Sequence, residues 1–83
     1  MKVHESIIKM ELEFPFIIGT FEDGSKWKYD INEMVPEREE YKKLLAEEYF
    51  YKAKLSPGGL VISWDDFVDI PSDGIANFGE RIE

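Results

Sequence analysis

The sequence predicts a small α+β domain: an antiparallel sheet of about five strands in the order β-β-β-α-β-β, a short C-terminal helical turn, and one amphipathic helix packed on one face of the sheet. Three observations predict it. Apolar and polar residues alternate with a period of two before residue 31 and again between residues 49 and 64. Between these stretches, from Pro36, apolar residues recur at three- and four-residue spacing, the period of a helix. Two glycine-bearing turns, Asp23-Gly24 and Ser56-Pro57-Gly58-Gly59, punctuate the strands. With 83 residues the chain has apolar surface for one core, so residues 1–83 are expected to form a single domain.

Each element has its own warrant. Ile8, Met10, Leu12 and Phe14 alternate with Lys9, Glu11 and Glu13, giving a first strand over Ser6 to Glu13 with one wet face. Pro15 cannot donate to a ladder and marks a bend before Phe16-Ile17-Ile18-Gly19-Thr20-Phe21, a run of aromatic and β-branched residues that reads as the second strand. Gly24 accommodates the positive φ of a tight hairpin, after which Trp27, Tyr29 and Ile31 alternate with Lys26, Lys28 and Asp30 as the third strand. A helix is predicted over roughly Pro36 to Glu48. Proline suits its first position, Glu37, Glu39 and Glu40 complement its N-terminus, and Tyr41, Leu44 and Leu45 form its apolar stripe.

Tyr49, Tyr51, Ala53 and Leu55 then alternate with Lys52 and Lys54, predicting a strand that turns at Pro57-Gly58 and pairs back as Leu60-Val61-Ile62-Ser63-Trp64. Phe67-Val68-Asp69-Ile70 extends the sheet, and Ile75 and Phe78, three apart, face one turn of helix before Gly79. The tail Glu80-Arg81-Ile82-Glu83 is expected to fray.

Composition narrows the function classes. Eighteen acidic and ten basic side chains leave a net charge of −8, a field that repels phosphate backbones and anionic lipid, so direct nucleic-acid and membrane binding are not expected. Residues 60–83 hold six acids and one base, which makes the C-terminal third the acidic end. Such an end can dock a basic partner or serve as a solvated surface. There is no cysteine, hence no disulfide and no thiolate metal site, and Met1 to Ser6 carries no feature of a secretory signal. A cytoplasmic location is the expectation.

The order Phe21-x-Asp23-Gly24, alternating residues to Asp30, a helix ending near Leu45, Gly59-Leu60-Val61-Ile62-Ser63-Trp64 and Asp69-Ile70 resembles the prokaryotic domain-of-unknown-function family numbered twenty-four forty-two. That family's fold is like the N-terminal domain of a small nitrifying-bacterium protein. The resemblance spans about residues 7 to 76. Where many members follow the tryptophan with Pro-Asn-Gly, this chain has Asp65-Asp66-Phe67. The resemblance implies an α+β fold and no established activity. Some members carry a downstream helix-turn-helix domain, and others look like halves of two-gene modules.

Candidate sites are few. His4 is the only histidine, so a two-histidine metal site cannot be assembled and a Ser-His-Asp triad would rest on this residue alone, whose flanks mark it as an exposed terminal residue. Asp69, Asp73, Asn77 and Glu80, with Gly74, match ligand positions one, five, nine and twelve and the glycine of a calcium loop. Position three of that loop is Pro71, which offers no side-chain oxygen, and the residues before Asp69 read as strand; in the plainer reading Ser72-Asp73-Gly74 is a turn. Adjacent Asp65 and Asp66 point to opposite faces of an extended chain and make a poor acid-base pair. Trp27, Trp64, Tyr29, Tyr49, Tyr51 and Phe50 are of a type that stacks bases or ligands, but in so small a domain most of them are expected in the core. If the helix covers the face carrying Trp27 and Tyr29, Phe50 and Val61 lie on the open side, and with Asp65 and Asp66 they form the expected interaction surface.

No catalytic constellation, cofactor motif or metal set is expected. The leading expectation is a non-enzymatic accessory or regulatory module that binds another small protein or a second copy of itself, in one form as the neutralising half of a two-gene pair. An acidic nucleic-acid mimic is the alternative, and a weak calcium or small-molecule binder is the third class.

Overall fold

The computed structural model describes residues 6–37, 39–65 and 68–83. The class is α+β, as the sequence predicts. Strands β1 (Ile7–Glu13), β2 (Phe16–Phe21), β3 (Lys26–Asp30) and β7 (Glu80–Arg81) form an antiparallel sheet in the order β1-β2-β3-β7. Strands β4 (Lys54–Leu55), β5 (Val61–Ser63) and β6 (Asp69–Pro71) form a second antiparallel sheet in that order. The described helices are α1 (Glu47–Phe50) and α2 (Asp73–Phe78), with 3-10 segments at Ile31–Glu33, Val35–Glu37 and Glu39–Leu45.

The first three strands are the expected meander. β1 and β2 meet across Phe14 and Pro15, whose peptide bond is cis, with Glu13 opposite Phe16. Register places Leu12 opposite Ile17 and Ile17 opposite Tyr29, and Met10 opposite Gly19 and Gly19 opposite Trp27, so these side chains share the inner face. Lys9, Glu11, Lys26 and Lys28 take the other face, where Lys26 reaches Glu11 at 3.6 Å and Glu83 at 3.8 Å. At the hairpin, Gly24 has φ +88° and donates its N–H to the Phe21 carbonyl at 2.9 Å. Asp23 accepts from the Ser25 N–H at 2.9 Å and the Ser25 hydroxyl at 2.6 Å, and the Trp27 indole donates to Ser25 Oγ at 2.9 Å. Asp23, Ser25 and Trp27 are thus linked side chain to side chain across the turn.

Several expectations are corrected, the sheet first. The expected single sheet of about five strands divides into two, because the β4–β5 hairpin meets β1 at one point rather than along a ladder. Gly59 has φ +71°, and a Cβ there would fall on the Ile7 carbonyl oxygen. With hydrogen in that place, the Gly59 carbonyl accepts the Ile7 N–H at 2.8 Å and the hydroxyl of buried Ser72 at 2.7 Å. The hairpin turn itself is as expected: Ser56 O accepts the Gly59 N–H at 2.8 Å, with Pro57 second and Gly58 at φ +92° third.

The second correction concerns the helix. Instead of one helix over Pro36 to Glu48 there are successive 3-10 segments and a four-residue α1, separated at Ala46, which is extended at φ −83° and ψ 114°. With three residues per turn, Tyr41 and Leu44 fall on one ridge and Leu45 falls off it. Leu44 is accordingly 0% exposed and Leu45 48%. The strand expected from Tyr49 is also displaced. Phe50 is drawn into the core by α1, and pairing begins only at Lys54.

Buried residues of both sheets, among them Ile7, Ile17, Phe21, Tyr29, Ile62, Trp64 and Ile70, meet in one cluster with Leu44, Phe50 and Ile75. Full burial of each such side chain contributes about 1.5–3 kcal/mol. Gly19 leaves the room that Ile7 fills; a Cβ there would come within 2.9 Å of Ile7 Cδ1. The tail does not fray: Glu80 and Arg81 pair with Lys28 and Trp27, and the Ile82 N–H donates to the Lys26 carbonyl at 2.8 Å.

Candidate functional site

Where β3 ends, the chain folds over its own inner face. Asp30 Oδ1 accepts from the Asn32 backbone at 2.9 Å and from its side chain at 3.0 Å, capping the 3-10 turn Ile31–Glu33. The following turns carry Glu33, Met34, Glu37 and Tyr41 to one side of Tyr29, and β6 and α2 bring Ile70, Pro71, Gly74 and Phe78 to the other. Together they enclose an open groove of about 480 Å³. Met34, Tyr29 and Ile70 are buried at its base, Glu33 and Glu37 stand exposed on its rim, and Phe78 is 71% exposed.

A neighbouring depression of about 400 Å³ is lined by Phe16, Lys28, Asp30, Glu33, Phe78, Gly79 and Glu80, so the Phe78 ring forms a ridge between the two. In that second depression Lys28 Nζ lies 4.3 Å over the Phe16 ring.

The electrostatics of the groove are negative. Burial raises the Tyr29 phenol to about 12, and Glu33 and Glu37, then Tyr41 and Asp30, add to the shift. At neutral pH Tyr29 is therefore a protonated hydrogen-bonding group and not a base. Among the described residues lining either depression there is no histidine, cysteine, serine or threonine. Carboxylates above an apolar, aromatic base suit a cation on an apolar stem.

The residues singled out from sequence lie elsewhere. Phe50 is not an interaction surface: it is 0% exposed, its ring meets Phe14 edge-on at 5.2 Å, and its carbonyl accepts the Trp64 indole N–H at 2.9 Å. Val61 does face outward, beside exposed Leu60 and opposite in direction to buried Ile62, so it and Phe50 form no common patch. Asp65 is engaged structurally. Its Oδ2 accepts the Tyr49 phenol at 2.7 Å and lies 3.6 Å from Lys43 Nζ, and its Oδ1 accepts the Val68 N–H at 3.0 Å. Burial and then this bond to Asp65 push the Tyr49 phenol up to about 12. Asp66 and His4 lie outside the described residues.

The calcium candidates are dispersed. Asp69 is on β6 of the second sheet, Asp73 and Asn77 are on α2, and Glu80 is on β7 of the first sheet. A strand and a helix occupy the stretch that would have to wrap an ion. Among the described residues no three histidine, cysteine, aspartate or glutamate side chains gather to hold a metal.

Sequence reasoning missed the groove because its walls come from four separate segments. Phe78 was paired with Ile75 as one apolar face, yet Ile75 enters the core and Phe78 points out. An aromatic at the last position of a six-residue helix gives no periodicity from which to tell the two apart. No helix among the described residues is long and apolar enough to cross a membrane. No family model matches the chain, and neither does any curated protein or solved structure.

Proposed function

We propose that this chain is a non-enzymatic protein-binding module, an accessory or regulatory component that seats its partner on the ridge and grooves around Phe78. The observation that carries this reading is the exposure of Phe78, at 71% the highest among the described large hydrophobic residues, between two depressions with acidic rims. Phe78 does not stand alone: it adjoins the apolar base of the groove, and an apolar centre with a polar rim is the anatomy of protein interfaces. The acidic balance of the chain favours a basic partner. Neutralising such a partner is the role that the likeness to halves of two-gene modules suggests, in the cytoplasm that the lack of cysteine favours.

The nucleic-acid mimic has less support. On the outer face of the first sheet Lys26 bridges Glu11 and Glu83, so charges of both signs alternate where a phosphate-like row would need carboxylates alone.

The test is copurification from the native host with tagged wild type and with Phe78→Ser, both checked for folding by circular dichroism. A stoichiometric protein partner retained by wild type and lost by the folded variant is expected. No partner, or a partner held equally by both, overturns the proposal.

A further inference from the structure

We infer that the groove beside Tyr29 receives an arginine or lysine side chain of the partner protein, and that an apolar residue next to it in the partner's sequence packs on Phe78. This rests on the protein-binding reading and names the chemistry of its occupant.

Charge selects the cation. The described side chains lining the groove include two carboxylates, Glu33 and Glu37, and no basic group. A cation arriving there meets opposite charge at the rim and, in the lining, the tyrosine rings of Tyr29 and Tyr41. An anion would meet repulsion from Glu33 and Glu37. Beside burial, the same two carboxylates help Tyr29 to retain its proton.

Shape selects a side chain on a stem over a bare ion. Met34, Ile70 and Pro71 give the groove an apolar base that a methylene chain can cover while its charged end stays at the rim. The groove volume of about 480 Å³ is ample for one long side chain. Metal ions are poorly served, since no three ligating groups converge among the described residues. The two depressions also differ in a way that fixes the register of the occupant. The second one, lined by Asp30, Glu33 and Glu80 as well as Lys28, already holds a cation of its own over its Phe16 ring, whereas the described lining of the groove holds none. The groove side of Phe78 therefore takes the charge, and the ridge itself takes the apolar neighbour.

The probes are three blocked dipeptides, acetyl-Leu-Arg-amide, acetyl-Leu-Gln-amide and acetyl-Leu-Glu-amide, titrated to millimolar concentration into the full chain and followed by amide chemical shifts. The arginine peptide is expected to move the amides of Tyr29, Glu33, Glu37 and Phe78, with at least fivefold weaker binding in the Glu33→Gln, Glu37→Gln double variant. The glutamine and glutamate peptides are expected to bind at least fivefold more weakly to wild type. Equal binding of all three peptides to wild type, or shifts confined to another surface, overturns the inference whether or not the double variant folds. The copurified partner separates the two levels. If it depends on Phe78 but is indifferent to Glu33→Gln and Glu37→Gln, the protein-binding role stands and the cation site falls.

Discussion

The two hairpin turns look alike in sequence and differ in what they hold. At Asp23-Gly24-Ser25 short-range bonds link Asp23, Ser25 and Trp27 to one another, and a Cβ at Gly24 would meet nothing within 4 Å. At Ser56-Pro57-Gly58-Gly59 the turn closes locally, but its last residue is a junction. The Gly59 carbonyl serves Ile7 of the first sheet and Ser72 ahead of α2, and the Trp64 indole that follows β5 binds the Phe50 carbonyl of α1. The first turn shapes a hairpin, whereas the second fastens the two sheets together. A glycine thus has two separate meanings here, conformation at one turn and conformation plus space at the other.

The largest effect should come from Gly59→Ala. A methyl group there is strained by φ +71° and collides with the Ile7 backbone, which cannot yield as a flexible side chain would. The expected loss is about 3–5 kcal/mol, because the displacement of the Ile7 backbone adds to about 1–2 kcal/mol of backbone strain. Urea denaturation should show it as a fall in midpoint. Stability within about 1 kcal/mol of wild type would mean that the sheets are not joined at Gly59.

How much of this was legible follows from the same contrast. β1, β2 and β3 were readable because their signals are local: alternation, a proline, an Asp-Gly pair, and side chains that meet their partners across short turns. The second hairpin was readable as a hairpin, since Pro57 and Gly58 announce the turn. Its role as a junction was not, because nothing around Gly59 indicates that Ile7 and Ser72 approach it. The stretch from Pro36 to Leu55 failed for a related reason. Tyr49 and Tyr51 alternate like strand residues, yet the Tyr49 hydroxyl is claimed by Asp65, and the Tyr51 hydroxyl accepts the Phe14 N–H at 2.9 Å. Those distant partners settle the local backbone. The groove was the least legible part, since Tyr29, Glu33, Tyr41, Ile70 and Phe78 have no common periodicity and are gathered by the fold alone.

A smaller effect should separate the regions by pH. Tyr49 ties α1 to the loop after β5, and Tyr29 sits under the turns after β3; both phenols are raised from 10.0 to about 12. A raised folded value means that the folded chain holds the proton more tightly than the unfolded one. The stability that this provides is complete below pH 10 and is lost as pH climbs toward about 12. The Tyr49 contribution is the weaker tie, because its bond to Asp65 is only partly buried. Urea midpoints should therefore decline through that window, and Tyr49→Phe should make the decline shallower without removing it, since Tyr29 remains. A midpoint that is flat over the window would show that neither phenol is held as described.

The smallest effect should be that of Gly24→Ala. At φ +88°, with open space around the missing Cβ, only backbone strain opposes the change, and the cost should be about 1–2 kcal/mol. Asparagine sharpens the distinction, because it tolerates positive φ more readily than alanine but still brings a Cβ. Gly24→Asn should recover most of what Gly24→Ala loses in urea midpoint. Gly59→Asn should recover little, since its Cβ meets the same Ile7 carbonyl. If asparagine rescued both positions alike, Gly59 would be a turn residue like Gly24, and the joining of the sheets would have to be sought in the Trp64 to Phe50 bond and the packed core instead.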